Sequence, residues 1–240
     1  MYKEYLFSEL KKWLRDPMMR FMVFYPIIIG LVGRYLLPVI AENSGFILEQ
    51  YADLILVILT LFTPHIYGAV LAFSILDDRD DNILSSIKVT PLSIHQFISF
   101  RLVIVTVFSL LGCTFVMWFA SIGNLTPVNI ILISFLASLA APATGLFINA
   151  FAHNKIEGFA IMKGSGVILV FPIIALFFHD YKEFFFSFAP GFWPAKTISS
   201  LIHGPGMLPL NYWLYYLLGL VYVVLLNIFA YLNFSKRVET

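Results

Sequence analysis

Charge is the scarcest ingredient of this sequence. Only 12% of its 240 residues are Asp, Glu, Lys or Arg, against roughly 25% in a soluble domain. That shortage excludes an ordinary water-soluble globule. Cysteine is nearly absent too. The lone Cys113 sits in an apolar run, which excludes a disulfide framework and a cysteine-held metal site. No Gly-x-x-x-x-Gly-Lys-Ser/Thr loop occurs, so the chain does not hydrolyse nucleotide by that route. His-Glu-x-x-His pairs and nucleophile elbows are missing, as are acidic clusters inside the apolar runs. The acids that do cluster, Asp77, Asp78, Asp80 and Asp81, lack EF-hand spacing and have Arg79 among them. No low-complexity segment or 20–50-residue repeat is visible. The basic start leads into a spanning-length run that contains Arg34 and lacks a small-residue cleavage site, so no cleavable signal peptide is expected.

What is present is apolar surface: 60% hydrophobic and 17% aromatic residues. Six runs approach the ~20 residues that cross a ~30 Å hydrocarbon core at ~1.5 Å per residue. They lie near Phe21–Ile40, Asp53–Ile75, Leu102–Ile122, Ile130–Phe151, Gly164–Phe178 (short) and Tyr212–Leu232. The expected fold is an all-α integral membrane protein of six transmembrane helices, a single domain over residues 1–240. Lys3, Lys11, Lys12, Arg15, Arg20, Arg79, Lys88, Arg101, Lys155, Lys163, Lys236 and Arg237 all fall on one side of that topology. Lys182 and Lys196 fall on the other, and Arg34 lies within the first span, close enough to the outer headgroups to snorkel. The bias predicts cytoplasmic termini in a plasma membrane.

Four segments lie outside the runs. Over residues 2–16, Leu6, Phe7, Leu10, Trp13 and Leu14 recur at helical spacing between charged residues. This predicts an interfacial amphipathic helix stopped by Pro17. It is a membrane anchor, a cuff for a cytoplasmic partner, or both. Between spans two and three, Asp80, Asp81 and Asn82 can cap a helix carrying Ile83, Leu84 and Ile87 as an apolar stripe. Thr90-Pro91 ends it, and Ser93 with Gln96 starts the next helix as a capping box. The connection His153–Gly158 is a plain connector or a second cytoplasmic contact. The outer segment before the last span carries Phe184–Phe186, Pro190, Phe192, Trp193 and Pro194. Such aromatic density predicts two short re-entrant helices over 182–202, broken at Pro190-Gly191 and dipping into the outer leaflet, or an interfacial aromatic belt.

Polar residues at depth mark either helix pairing or a path. Pro64-His65 lies mid-span with Thr60 and Thr63 nearby, and Thr144 and Asn149 should bond between helices. Thr60, Thr63, His65 and, in the fifth run, Phe171 are the candidate path residues.

At Asp78-Arg79-Asp80 and Thr90-Pro91-Leu92-Ser93 the chain resembles the membrane subunits of ABC-2 type exporters, with their acidic-basic-acidic triplet and Thr-Pro-Leu-Ser. The region of Pro190 and Trp193-Pro194 is similar to that family's re-entrant helices. The topology match covers the whole chain and the motif match about 25 residues. The chain departs where the family often has Gly-Thr-hydrophobic-Glu; here stand Asn82-Ile83-Leu84-Ser85. The resemblance implies that residues 82–89 form a coupling helix docking on a separate ATP-binding cassette subunit. Asp78, Arg79, Asp80, Asn82, Leu84, Ile87, Thr90 and Pro91 would carry that contact. It implies two ATPase copies that bind ATP and magnesium, a second permease copy as a homodimer, and no cofactor in this chain. Spans two and five would line the path at the dimer interface. It places the chain in a bacterial cell membrane, among lipid, with no nucleic acid partner.

The leading expectation is an exporter permease for an amphipathic or hydrophobic cargo, with a peptide or toxin ahead of a drug or lipid. A membrane sensor or immunity protein that sequesters an antimicrobial peptide is the alternative. An integral-membrane enzyme would need clustered acids or histidines on facing spans, and these are missing.

Overall fold

The computed structural model describes residues 2–45, 47–81, 83, 93–204 and 206–239, and among them the structure is helical throughout, joined by turns. Apart from Ile83, the expected coupling helix over 82–89, with Asn82, Leu84 and Ile87, lies outside the described residues, as do Thr90 and Pro91. Helix α1 is Tyr2–Arg15. The first span runs over Pro17–Ser44 and comprises α2 (Pro17–Leu31), a π-helical turn (Val32–Leu36) and α3 (Leu37–Ser44). The second span is α4 (Ala52–Asp80) with a 3-10 turn before it, and the third is α5 (Ile94–Ala120). The fourth is split into α6 (Pro127–Ser138) and α7 (Ala140–Phe151). The fifth joins α8 (Lys155–Ser165) through a 3-10 turn (Gly166–Leu169) to α9 (Val170–Ala175). A 3-10 turn (Tyr181–Phe186) and α10 (Phe192–His203) precede the sixth span, α11 (Tyr212–Glu239). Among the described residues, six helices are thus long and apolar enough to cross a membrane.

Local chemistry explains the boundaries. Asp16 caps α2, its Oδ1 accepting from the Met18 and Met19 N–H groups at 2.8 and 3.1 Å, and Pro17 takes the first helical position, where no N–H is needed. Pro17 therefore begins the first span as much as it ends α1. Ser93 and Gln96 form a reciprocal capping box at the head of α5. The fifth span starts nine residues before the expected Gly164. Asn154 accepts from the Glu157 N–H, and Glu157 reaches back to the His153 N–H at 2.9 Å, so most of His153–Gly158 is the first turn of α8 rather than a connector. Gly158, Lys163, Gly164 and Gly166 dilute the hydropathy that would otherwise have marked this helix.

Helix α4 is the axis of the bundle. Most of its length is buried, whereas the first, fifth and sixth spans are largely exposed. It meets α7 through small residues. A Cβ on Gly68 would come within 2.6 Å of the Ala141 carbonyl and of Thr144 Cβ, and one on Gly145 within 2.8 Å of the Gly68 carbonyl. Between membrane helices such close backbone approach supplies much of the packing energy. The fourth span breaks at Leu139 because Pro142 cannot donate within the helix. Asn227 of α11 donates to the Leu139 carbonyl at 2.8 Å, closing the break from outside.

Gly68→Ala should therefore push α4 and α7 apart and lower stability by about 1–3 kcal/mol. Gly164→Ala, where an added Cβ meets nothing within 4 Å, should be neutral or slightly stabilising. Thermal unfolding of the two variants in detergent checks the contrast, and equal midpoints would refute it.

Candidate substrate cavity and its charged supports

A half-open cavity of about 480 Å³ lies inside the bundle. Its back is formed by α4 (Leu61, Pro64, His65) and α7 (Ala143, Thr144, Phe147, Phe151), and its sides by the fifth span (Ser165, Ile168, Leu169) and α11 (Leu226, Phe229, Asn233). Phe188, Pro190 and Gly191 of the outer segment close one end. Phe151, Phe188 and Phe229 stand exposed at its rim. The volume falls within the ~300–1,000 Å³ of small-molecule sites, and the lining is mostly apolar with a few polar groups, as such sites are.

The predicted path residues separate here. His65 lines the cavity, its Nε2 3.9 Å from where a Cβ on Gly166 would sit. Thr60 and Thr63 are fully buried away from it, and Thr63 packs towards Gly112 of α5. Phe171 stands one layer behind, its ring 4.9 Å from that of Phe188. Pro190 lines the cavity directly, while Phe192 and Trp193 are buried against Leu136 and Tyr215, and Pro194 is buried within α10. Asn149 bonds between helices as expected, to the Ala72 carbonyl at 3.3 Å. Thr144 instead donates to Ala140 of its own helix and presents its other face to the cavity. Sequence reasoning missed Phe147, Phe229 and Asn233, because on uniformly apolar helices nothing distinguishes a cavity-facing residue from a lipid-facing one.

Three charged clusters brace this frame. On the side assigned to the cytoplasm, buried Arg101 of α5 pairs with Glu9 of α1 at 2.8 Å and with Asp78 of α4. Lys12 binds Asp78 at 2.6 Å and the Ser74 carbonyl at 2.8 Å. Ser74 Oγ and Trp13 Nε1 donate to Glu9 at 2.5 and 3.2 Å. Two acids and two bases thus balance in a closed, hydrogen-bonded group. Asp78 turns inward to this group, Arg79 reaches the Ala152 carbonyl at 3.2 Å, and Asp80 is exposed. Beside them Lys155 bridges Asp16 and Asp77 at 2.5 and 3.1 Å. Burial pushes the Asp16 carboxyl up, but Lys155 and the two N–H groups of its helix cap outweigh this and hold it below its ordinary value. Its contribution to stability is present above that ordinary value and is lost as pH falls through the lowered one.

At the opposite end, Lys196 and Glu183 form an ion pair at 2.6 Å with both side chains fully buried. Lys196 also donates to the Phe178 carbonyl at 2.7 Å, and the Tyr215 hydroxyl donates to Glu183. Asp53 of α4 accepts from Ser199 and faces His203 at 3.0 Å. These bonds fasten α10 to the second and sixth spans. None of Lys196, Glu183, Asp53 and His203 was singled out from sequence for this role, since the partners lie far apart along the chain.

Arg101→Met leaves Glu9 and Asp78 buried with one cation between them, so a loss of about 3–5 kcal/mol is expected. Arg101→Met with Glu9→Gln restores the charge balance and should recover part of it. Unfolding midpoints in detergent measure the difference, and a double variant no better than the single would overturn the balanced-cluster account.

Residues 9–231 match the family described as "Fluoroquinolones export permease protein Rv2686c-like". Two relatives from Mycobacterium tuberculosis, strains CDC 1551 / Oshkosh and ATCC 25618 / H37Rv, are each 28% identical over 228 residues. The alignment covers 90% of this chain and 86% of each relative, and both are named fluoroquinolones export permease protein. No solved structure matches. The match agrees with the resemblance to ABC-2 type permeases, and with six apolar helices the chain is a multi-pass membrane protein. It belongs to the Rv2686c-like fluoroquinolone export permease family.

Proposed function

We propose that this chain is the membrane half of an ATP-driven exporter and that its cargo is a small, largely aromatic compound, a fluoroquinolone among them. The observation that carries the reading is the half-open cavity of about 480 Å³, walled by four spans and rimmed by phenylalanines. Its size suits a drug-sized molecule, and the relatives' names point to one such class. The expectation of a peptide or toxin cargo finds no support in those names and is set aside. The chain carries no phosphate loop, so in this reading the motor is a separate ATPase, docked at the segment that follows α4. Asp78 would then act as the root of that segment, held by Lys12 and Arg101. Two permease copies and two ATPase copies would work together in a bacterial plasma membrane, with the basic loops and both termini inside.

A bacterium lacking its own efflux pumps, expressing the permease with its ATPase, should accumulate several-fold less of a fluorescent fluoroquinolone than cells with either subunit alone. Ala143→Trp, which fills the cavity from α7, should restore accumulation at unchanged membrane abundance. Leu226→Trp fills it from α11 and guards against misfolding of the first variant. Undiminished accumulation with both wild-type subunits in the membrane would overturn the reading.

A further inference from the structure

The cavity has a definite depth in the bundle. Helix α4 carries Asp53 at one charged end and Asp78 at the other. His65 stands 12 residues from the first and 13 from the second, which is ~18 and ~20 Å along a helix rising ~1.5 Å per residue. It therefore lies midway between the two ends. From that level the cavity runs towards the Arg101 cluster. Phe151 lines it, and the next residue, Ala152, offers its carbonyl to Arg79.

Its boundaries are unequal. Helices α4 and α7 form the back. The far end is shut by Pro190 and Gly191. The corner between α7 and the fifth span is shut by the tight connection 152–154. That leaves the side between the fifth span and α11. The fifth span packs on α4 and α7, whereas α11 packs on α7 and α10. Phe147 and Phe151 of α7 look out between them, their ring centroids 4.9 Å apart, with Phe229 of α11 beside them. All three line the cavity and are nevertheless exposed. Among the described residues, no Lys, Arg, Asp or Glu lines it.

An uncharged aromatic mouth suits hydrocarbon and not water. Facing water, three neighbouring exposed phenylalanines would form an apolar patch of the kind soluble surfaces avoid. Facing acyl chains, they carry no such cost. The depth agrees: the slot lies between the middle of α4 and the Arg101 cluster, the part of a spanning bundle that hydrocarbon surrounds. An apolar aromatic compound also collects in that hydrocarbon before it meets the protein.

Resting on the exporter reading for the cavity's role and orientation, we propose that the cavity loads sideways, from the cytoplasmic leaflet, through the slot between the fifth span and α11. Its ligand is an aromatic compound already dissolved in the membrane. Phe147, Phe151 and Phe229 frame the entry, and the outer segment stays shut during loading.

The test is access rather than transport, so it can succeed or fail independently of export. The purified permease in lipid nanodiscs is irradiated with an iodophenyl trifluoromethyl diazirine, a small aromatic photoprobe that dissolves in acyl chains. Labelled residues are located by mass spectrometry. Label is expected on His65 and Thr144 inside the cavity, and on Val103 and Leu111 of α5, which are exposed and do not line it. Ala143→Trp and Leu226→Trp should each cut the label at His65 and Thr144 several-fold and leave Val103 and Leu111 unchanged, which also reports that the variants are folded. Hydroxyl radicals generated in the water should spare Phe147 and Phe229, although the photoprobe reaches them. The proposal is overturned if His65 and Thr144 stay unlabelled, as when a phospholipid or a helix of a second copy fills the slot. It is also overturned if their label survives in both Trp variants, or if Phe147 and Phe229 are oxidised from the water. A fluoroquinolone in excess should suppress the cavity label alone. If it does not, while the other results hold, the sideways entry stands and the cargo named above is wrong.

Discussion

Two acids and two bases meet where α1, α4 and α5 converge, with Arg101 shared between Glu9 and Asp78 and Lys12 closing the far side. Charges this deeply buried are tolerable only when each finds an opposite charge and further hydrogen bonds, and here Ser74 and Trp13 supply the latter. The arrangement makes three elements interdependent. Helix α1 on its own is a short amphipathic piece that water or a lipid surface could hold in many poses. Its lodging against α4 is fixed because displacing it would strand Arg101 without Glu9. Leu6, Leu10 and Trp13 turn to the protein, whereas Phe7 and Leu14 are exposed. The same cluster holds together the end of α4 and the start of α5. A displacement imposed on the segment between them would therefore be met by α1, α4 and α5 as one body.

At the other end the logic repeats with different residues. The outer segment would be an exposed aromatic loop but for Lys196 and Glu183, whose pairing inside the protein demands that α10 be surrounded. Burial holds the Lys196 ammonium below its ordinary value despite the pull of Glu183. Tyr215 and Asp53 then tie the segment to the sixth and second spans. In consequence Phe188, Pro190 and Gly191 arrive at the cavity as a fixed closure. A Cβ on Gly191 would sit 2.9 Å from Leu61 and 3.0 Å from Pro172, so this backbone is wedged between the second and fifth spans.

Much of this fold was legible because the bilayer imposes its own length on a helix. Runs of about 20 apolar residues located five of the six spans closely, and the Ser93–Gln96 capping box and the Pro190-Gly191 break were readable as local chemistry. The fifth span was misjudged because hydropathy was weighed above capping: Asn154 and Glu157 spelled a helix start that glycines and Lys163 obscured. The candidate site was less legible for a different reason. His65 could be picked out as an ionisable group at depth. Which of Thr60, Thr63 and Thr144 faced the cavity depended on the rotation of helices about one another, and that is set by contacts such as Gly68 on Gly145. The charge clusters depend on pairs such as Glu9 and Arg101, 92 positions apart, for which a single sequence carries no signal beyond the oddity of an arginine beside an apolar run.

The four cavity walls are not held alike, and this bears on how such a site could open. Helices α7 and α11 are stitched at the break in the fourth span, where Asn227, next to Leu226 and two residues before Phe229, takes up the Leu139 carbonyl. Helix α4 is locked to α7 through Gly68 and Gly145. The fifth span is fastened at its base by Lys155 and by Gly158 against Leu76, and its far end continues into the pinned outer segment. Between those anchors, at the level of Ile168 and Leu169, it changes from α to 3-10 geometry. A 3-10 stretch inside a longer helix has poorer hydrogen bonds and often marks a hinge. Lengthening or tightening that turn shifts the wall without breaking the Gly68 contact, the Asn227 bridge or either buried ion cluster. Of the four walls, the fifth span can therefore move at the lowest energetic cost, carrying Ser165, Ile168 and Leu169 with it.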